Sequence, residues 1–369
     1  MNPHSSITHR KQVAWLSLCI TIGAVVTLNP WYAFRFTPGA GWAAWGLAVM
    51  LVLLLTGTPQ RARVAVVLAG LFLAVPCCLV GAPLDRGLLM CAMAVPAVAA
   101  TAFVVRPPLP GLRARLAHLL RWGGAREVRR QPCRFDPTAL GNLGGATVIF
   151  AAALAGAQAV PDGGGGLPLR WLAAGIALLA FAEMLTAGPA LLSAAVGVVI
   201  PPLMRSPHRA LSVGEFWSDR WNRFAAQKLF RPYCFQPLAR RGWVALAVVV
   251  TFFISAVAHV LLVFMATGRW KISLMNGAFF MVQPVLLGLE YRMRVRRWRP
   301  VAARVWTLGA LAVTSPLFLE PALQIIRASW GNASTVLLPT VLVLGVLLVV
   351  CGGLAVLSRV TCPAGNKGT

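Results

Sequence analysis

Runs of roughly 20 consecutive apolar residues recur along this chain. Each is long enough to cross a ~30 Å hydrocarbon layer at 1.5 Å per helical residue. The runs are continuous rather than alternating, which argues against a transmembrane β-barrel. Of 369 residues, 58% are hydrophobic and only 12% charged. A soluble domain of this length could not cover so much apolar surface. The expected fold is all-α, a polytopic integral membrane protein forming one multispanning domain over 1–369.

The spans fall near 13–34, 42–56, 64–82, 87–105, 143–160, 171–188, 243–266, 273–289, 303–321 and 335–357. With the N-terminus cytoplasmic, 28 of the 34 Lys and Arg lie in inside segments. The outside segments hold only Arg35, Arg86, Arg170, Arg269, Lys271 and Arg327. That asymmetry follows the positive-inside rule and supports ten spans with both termini inside, in the cytoplasmic membrane. The net charge of +25 therefore points to anionic lipid headgroups, not to nucleic acid. The first span has a basic flank in Arg10 and Lys11 but is long for a cleavable signal, and is read as an uncleaved anchor. The hydrophobic run after Gly188 continues through Leu191 to Leu203, broken by Pro189, Pro201 and Pro202. It is either re-entrant or interfacial, and if it spans fully the topology after it inverts.

The eight cysteines form no C-x-x-C pair and read as small packing residues. Asn332-Ala333-Ser334 fits a glycosylation acceptor, a tripeptide common by chance. No internal repeat is visible, so the inverted-repeat sign of many transporters is missing. Intramembrane Glu183 is the one feature on the side of a transporter.

Three basic segments interrupt the spans. Arg106 to Asn142 carries Leu112, Leu116, Leu119 and Leu120 among arginines, an amphipathic pattern. It either lies on the anionic inner leaflet or cradles a polyanion such as the phosphates of coenzyme A. Glu290 to Arg304 is equally ambiguous. In the middle segment, Arg205 to Arg241, Ser212 and Glu215 make a capping box, so a helix is expected from Val213. Pro232 should end it near Arg231. On that helix Val213, Trp217, Trp221 and Phe224 form an apolar stripe, opposite Glu215, Ser218, Asp219 and Asn222. Tryptophans there are ordinary interface anchors; the gathered polar residues are less ordinary in a chain with nine carboxylates.

His259 stands alone in the apolar run Thr251 to Phe264. An ionisable group at such depth needs a polar partner or a water-filled cavity, and marks either a functional site or a helix–helix hydrogen bond. Ser255, one turn back, is placed to orient the ring. No G-x-S-x-G, H-E-x-x-H or G-x-x-x-x-G-K-[ST] motif occurs, nor the His-x-x-x-x-Asp run of peripheral acyltransferases. One deep histidine is poor metal chemistry, so no metal or bound cofactor is expected. A lone histidine can still act as general base on a hydroxyl attacking an acyl thioester. An Asn amide suits the resulting oxyanion.

These residues resemble a family. Ser-x-x-Glu-Phe-Trp-x-x-Arg-Trp-Asn at 212–222, followed by Arg231-Pro232-Tyr233, is similar to the signature of the wax-synthase branch of the membrane-bound O-acyltransferases. In that branch Phe-x-x-Ser-Gly-x-x-His follows, matched here by Phe252 to His259. Phe279 to Glu290 resembles the next span, so the likeness covers about 205–295. It implies acyl transfer from acyl-CoA, as co-substrate, to a hydroxyl-bearing acceptor. His259 matches the catalytic histidine and Asn222 the polar residue closing the first motif. Glu215, Phe216, Trp217, Arg220, Trp221 and Ser255 become candidate substrate-binding residues. Two positions depart: Ala256 replaces the family's glycine, and Val260 stands where an acidic residue often follows the histidine. The rival class is a transporter or lipid-binding protein with His259 lining a path. His259 lies about fifteen residues into its span, ~22 Å deep at helical rise, whereas Asn222 belongs near the inner surface. Either 205–241 dips into the membrane or the two serve opposite ends of one chamber.

Overall fold

Two helical hairpins built on small residues frame the part of the molecule that carries the motifs. The computed structural model describes residues 38–55, scattered residues between 86 and 97, Arg115, 129–130, 136–161, 165–195, 198–199 and 201–330. The chain divides into two units, Met1–Gln131 with Val198–Ile200, and Pro132–Gly197 with Pro201–Thr369. In the first, helix α1 (Pro38–Leu55) buries Ala48 and Val52. Trp45 Nε1 donates to the Ala92 carbonyl at 3.0 Å. Two-residue strands β1 (Arg129–Arg130) and β2 (Val198–Val199) pair antiparallel.

The second unit holds α2 (Pro137–Ala159), α3 (Leu167–Ala195), α4 (Val244–Thr267), α5 (Trp270–Met293), α6 (Pro300–Thr314) and α7 (Pro316–Trp330). Asp136 caps α2 by accepting from Ala139 N, with Pro137 in the first turn where a missing N–H costs nothing. Along α2 and α3 the buried positions are mostly alanine, including Ala139, Ala146, Ala157, Ala174, Ala177 and Ala187. Side chains this small let two helices approach closely where no hydrophobic effect drives them together. Leu319 and Leu323 of α7 pack with Leu154, Ala157, Ala174 and Ala177, while Ala139 and Ala187 form a second cluster with Leu143 and Leu191. Gly268, at φ 67°, ends α4 in the left-handed conformation that favours glycine, and only Arg269 then separates it from α5. The hairpin closes tightly at Gly277, where a methyl group would collide with Val260 Cγ2.

Among the described residues, four helices are long and apolar enough to cross a membrane: Pro137–Ala159, Leu167–Leu191, Val244–Thr267 and Trp270–Met293. They coincide with the expected spans 143–160, 171–188, 243–266 and 273–289. A fifth, 303–321, is expected as one rod but is broken. Pro300–Thr314 and Pro316–Ala328 meet at 49°, because Pro316 supplies no N–H and starts a new helix. The expected span 42–56 coincides with α1, a shorter apolar helix. The spans 13–34, 64–82 and 335–357, most of 87–105, and the leucine pattern at 112–120 lie outside the described residues. The 189–203 stretch forms no separate helix among the described residues. α3 runs on through Pro189 to Ala195, and 201–206 is irregular. Arg170 and Arg327, expected in outer loops, lie within α3 and α7.

Between α3 and α4 the chain folds differently from the expected single helix. Val213–Glu215 is one α-helical turn, Phe216–Arg220 a π turn, and Ala225–Phe235 a longer π-helix leading into Gln236–Ala239. Pro232 does not end it. The wider π turn spaces the ring from the carbonyl it would strike in an α-helix. A break at Trp221–Asn222 also splits the expected Val213–Phe224 stripe. It is pinned from behind, where Arg205 N donates to the Arg220 carbonyl and Arg223 N to the Leu203 carbonyl, each at 2.9 Å.

Candidate active site

Ser212 begins the site. Its Oγ accepts from Glu215 N at 2.9 Å, as a cap should. The reciprocal bond goes elsewhere, since Glu215 Oε2 accepts from Leu211 N rather than from Ser212. The remaining donors of this turn are met from another helix: Glu290 Oε2, buried on α5, accepts from Val213 N at 2.6 Å. Glu290 thereby ties the start of the motif to the end of α5.

The next turn inserts aromatic rings between helices. Trp217 meets Phe252 of α4 and Phe279 and Phe280 of α5 at centroid distances of 5.8, 6.0 and 5.8 Å. Its indole Nε1 donates to Gln283 Oε1 at 3.0 Å, and Gln283 Nε2 donates in turn to the Phe279 carbonyl. A buried amide is thus satisfied on both ends. Phe216 stacks on Trp221 at 5.6 Å. Phe252 lies eight residues into α4, ~12 Å from its start. The segment therefore dips between the helices, with Trp217 packed among rings of α4 and α5.

His259 projects from α4 against Phe280, ring centroids 3.9 Å apart, with Phe318 of α7 at 6.3 Å. Its Nδ1 lies 2.8 Å from the Ser255 carbonyl oxygen. A carbonyl only accepts, so Nδ1 carries the proton of the neutral ring and Nε2 keeps its lone pair. The contact to Ser255 runs through its backbone carbonyl, which any residue at that position would supply. Asn222 sits at φ 39°, a left-handed conformation that Asn tolerates better than most residues. Its Oδ1 caps the following helix by accepting from Ala225 N at 3.1 Å. The donors on Nδ2 remain for another partner.

Both residues line one cavity of about 1070 Å³, at the upper end of ordinary ligand pockets (~300–1,000 Å³). Phe216, Trp217, Trp221 and Ser255 line it as well, together with Ser218, His208 and Arg231. The α6–α7 elbow closes one side through Leu311, Ser315 and Phe318. Of the residues singled out in the sequence, Glu215 and Arg220 are not part of this wall. They pair with each other at 2.6 Å, and Arg220 also donates to the Arg205 carbonyl. Asp219 likewise pairs with Arg205 and Arg223. Glu183 is exposed and off the cavity. Cys234 is also off the wall, and burial pushes its thiol up, away from the reactive thiolate. Among the described residues no cluster of three His, Cys, Asp or Glu could hold a metal ion.

Sequence reasoning missed Gln283 and the capping role of Glu290. It also missed the pair of buried Arg170 with half-buried Glu320 at 3.1 Å, with Trp171 Nε1 3.4 Å from Glu320 Oε2. The available signal was a lone amide or charge within an apolar run.

Residues 200–282 match the model of the membrane bound O-acyl transferase family. Probable long-chain-alcohol O-fatty-acyltransferase 9 of Arabidopsis thaliana is 31% identical over 149 residues, covering 36% of this chain and 42% of that relative. Probable long-chain-alcohol O-fatty-acyltransferase 8 of the same plant is 32% identical over 145 residues, with the same coverage. The chain thus spans less than half the length of these curated relatives. The resemblance to the wax-synthase branch drawn from 212–222 and 252–259 holds.

Proposed function

We propose that this chain is an O-acyltransferase that moves an acyl group from acyl-CoA to an alcohol. His259 acts as general base and Asn222 as oxyanion donor. The observation that carries this reading is one cavity lined by both residues, with the histidine held as the tautomer whose Nε2 can accept a proton. In the proposed reaction, Nε2 takes the hydroxyl proton as the alcohol oxygen attacks the thioester carbonyl. The Asn222 amide donates to the tetrahedral oxyanion, and collapse expels the coenzyme A thiolate, which takes up the proton held on the imidazole. The largely apolar wall suits long hydrocarbon chains, and the plant relatives are named for long-chain-alcohol acylation. No cofactor is required by this sequence of steps.

The distribution of Lys and Arg supports a ten-span chain in the cytoplasmic membrane. The basic 205–241 end then faces inward, where acyl-CoA is found. Inside-out vesicles carrying the protein should form ester from added labelled long-chain acyl-CoA and a long-chain alcohol, and right-side-out vesicles should not. Ester formed equally by both would reverse or void the orientation. Absence of ester from either, across acyl and alcohol lengths, would defeat the functional reading.

A further inference from the structure

We infer that Gly175 sets the length of hydrocarbon chain that the cavity accepts, as a notch in the α3 wall between Trp171 and Leu178. The inference rests on the acyl-transfer reading above. Trp171, Gly175 and Leu178 follow at spacings of four and three on α3, so they share one helical stripe, and all three line the cavity. Every lining residue that α3 contributes is apolar, while the polar lining comes from elsewhere, including Ser218, Asn222 and His259. The α3 wall is therefore the place for methylene groups, not for the reacting carbonyl.

A glycine inside a helix costs ~1 kcal/mol relative to alanine. In a membrane bundle the usual compensation is close approach of a second helix. Gly277 shows that compensation, since a methyl there would strike Val260. Gly175 does not: an added Cβ would meet nothing within 4 Å. Among the described residues it is also the only glycine in the cavity wall. Gly188 has open space as well but lies off the cavity, so open space and a place in the wall together set Gly175 apart.

Trp171 cannot easily swing aside to make the same room. Its ring packs against the cluster around Leu154, Ala157 and Leu323, and its Nε1 lies 3.4 Å from Glu320 Oε2. Glu320 is itself held by the buried Arg170 at 3.1 Å and by Gln324. A chain running along this wall meets a fixed indole and then the notch.

The test uses the full-length protein with Gly175→Ala, Gly175→Leu and Gly175→Phe, assayed over a series of acyl-CoA lengths with one alcohol and over alcohols with one acyl-CoA. The two series show which chain occupies the notch. Gly175→Ala strengthens the helix, so at least one variant keeps the fold. The ratio of short-chain to long-chain turnover should rise in the order Ala, Leu, Phe, reaching ~10-fold or more, as expected for pocket discrimination of a few methylenes. Gly188→Phe, on the same helix with open space but off the cavity, should leave the ratio unchanged. An unchanged ratio across the series, or equal loss at every length, overturns the inference while leaving the function intact. A wild-type protein that forms no ester with any pair overturns the function itself, which is a separate result.

Discussion

His259→Ala should abolish measurable ester formation, a loss of at least ~10²- to 10⁴-fold for a general base, while the protein stays in the membrane at its normal level. The second half follows from the local structure. The Ser255 carbonyl that accepts the hydrogen bond from Nδ1–H is also the i−4 acceptor for the backbone N–H of residue 259 in α4, so removing the imidazole strands no buried group. The ring contact with Phe280 is worth about 0.5–1.5 kcal/mol beyond the area it buries, and the imidazole also borders the cavity. Turnover with labelled acyl-CoA and quantitative detection of the folded protein check both parts. Full activity in the variant would remove His259 from the chemistry.

Asn222→Asp should lower kcat by ~10²-fold or more with little change in thermal stability. The carboxylate retains an oxygen to cap Ala225 N and tolerates the left-handed backbone at φ 39°. It cannot donate to an oxyanion, and its charge repels one. Asn222→Ala is a poorer probe, because it also removes the cap at about 1 kcal/mol. A structural role alone predicts that Asp is tolerated and Ala is not. A catalytic role predicts that both are slow and only Ala is unstable. Measuring kcat beside the melting temperature for the two variants separates these outcomes.

Much of the framework was legible because membrane spans are set by a length that a sequence displays directly. The helices at 137–159, 167–195, 244–267 and 270–293 follow from that rule. The start at Ser212 was legible for a different reason, since its hydroxyl acts on a backbone group three residues away. What escaped depends on partners distant in the chain. Proline arithmetic places a stop at Arg231, but the packed segment takes π turns that accommodate Pro232. Pro316 lies inside the apolar run 303–321, and hydropathy does not register the elbow it makes. The tie from Glu290 to Val213 spans 77 positions and that from Trp217 to Gln283 spans 66; a single sequence carries no record of either. Of the residues named from the sequence, His259, Asn222, Phe216, Trp217, Trp221 and Ser255 line the cavity. That His259 and Asn222 line one cavity depends on Trp217 carrying the 213–222 segment down among Phe252, Phe279 and Phe280.

The central claim is a direct transfer in which acyl donor and alcohol occupy the cavity together. It draws on the absence of an acyl-accepting Ser or Cys motif in the sequence, and on Cys234 lying off the cavity wall. A rapid-quench single turnover, with purified protein in excess over labelled acyl-CoA, tests it most directly. Without alcohol the thioester should remain intact, with no burst of free thiol. On adding alcohol, thiol and ester should appear together, mole for mole. Release of one equivalent of thiol before alcohol is added, with the label bound covalently to the protein, would contradict the account.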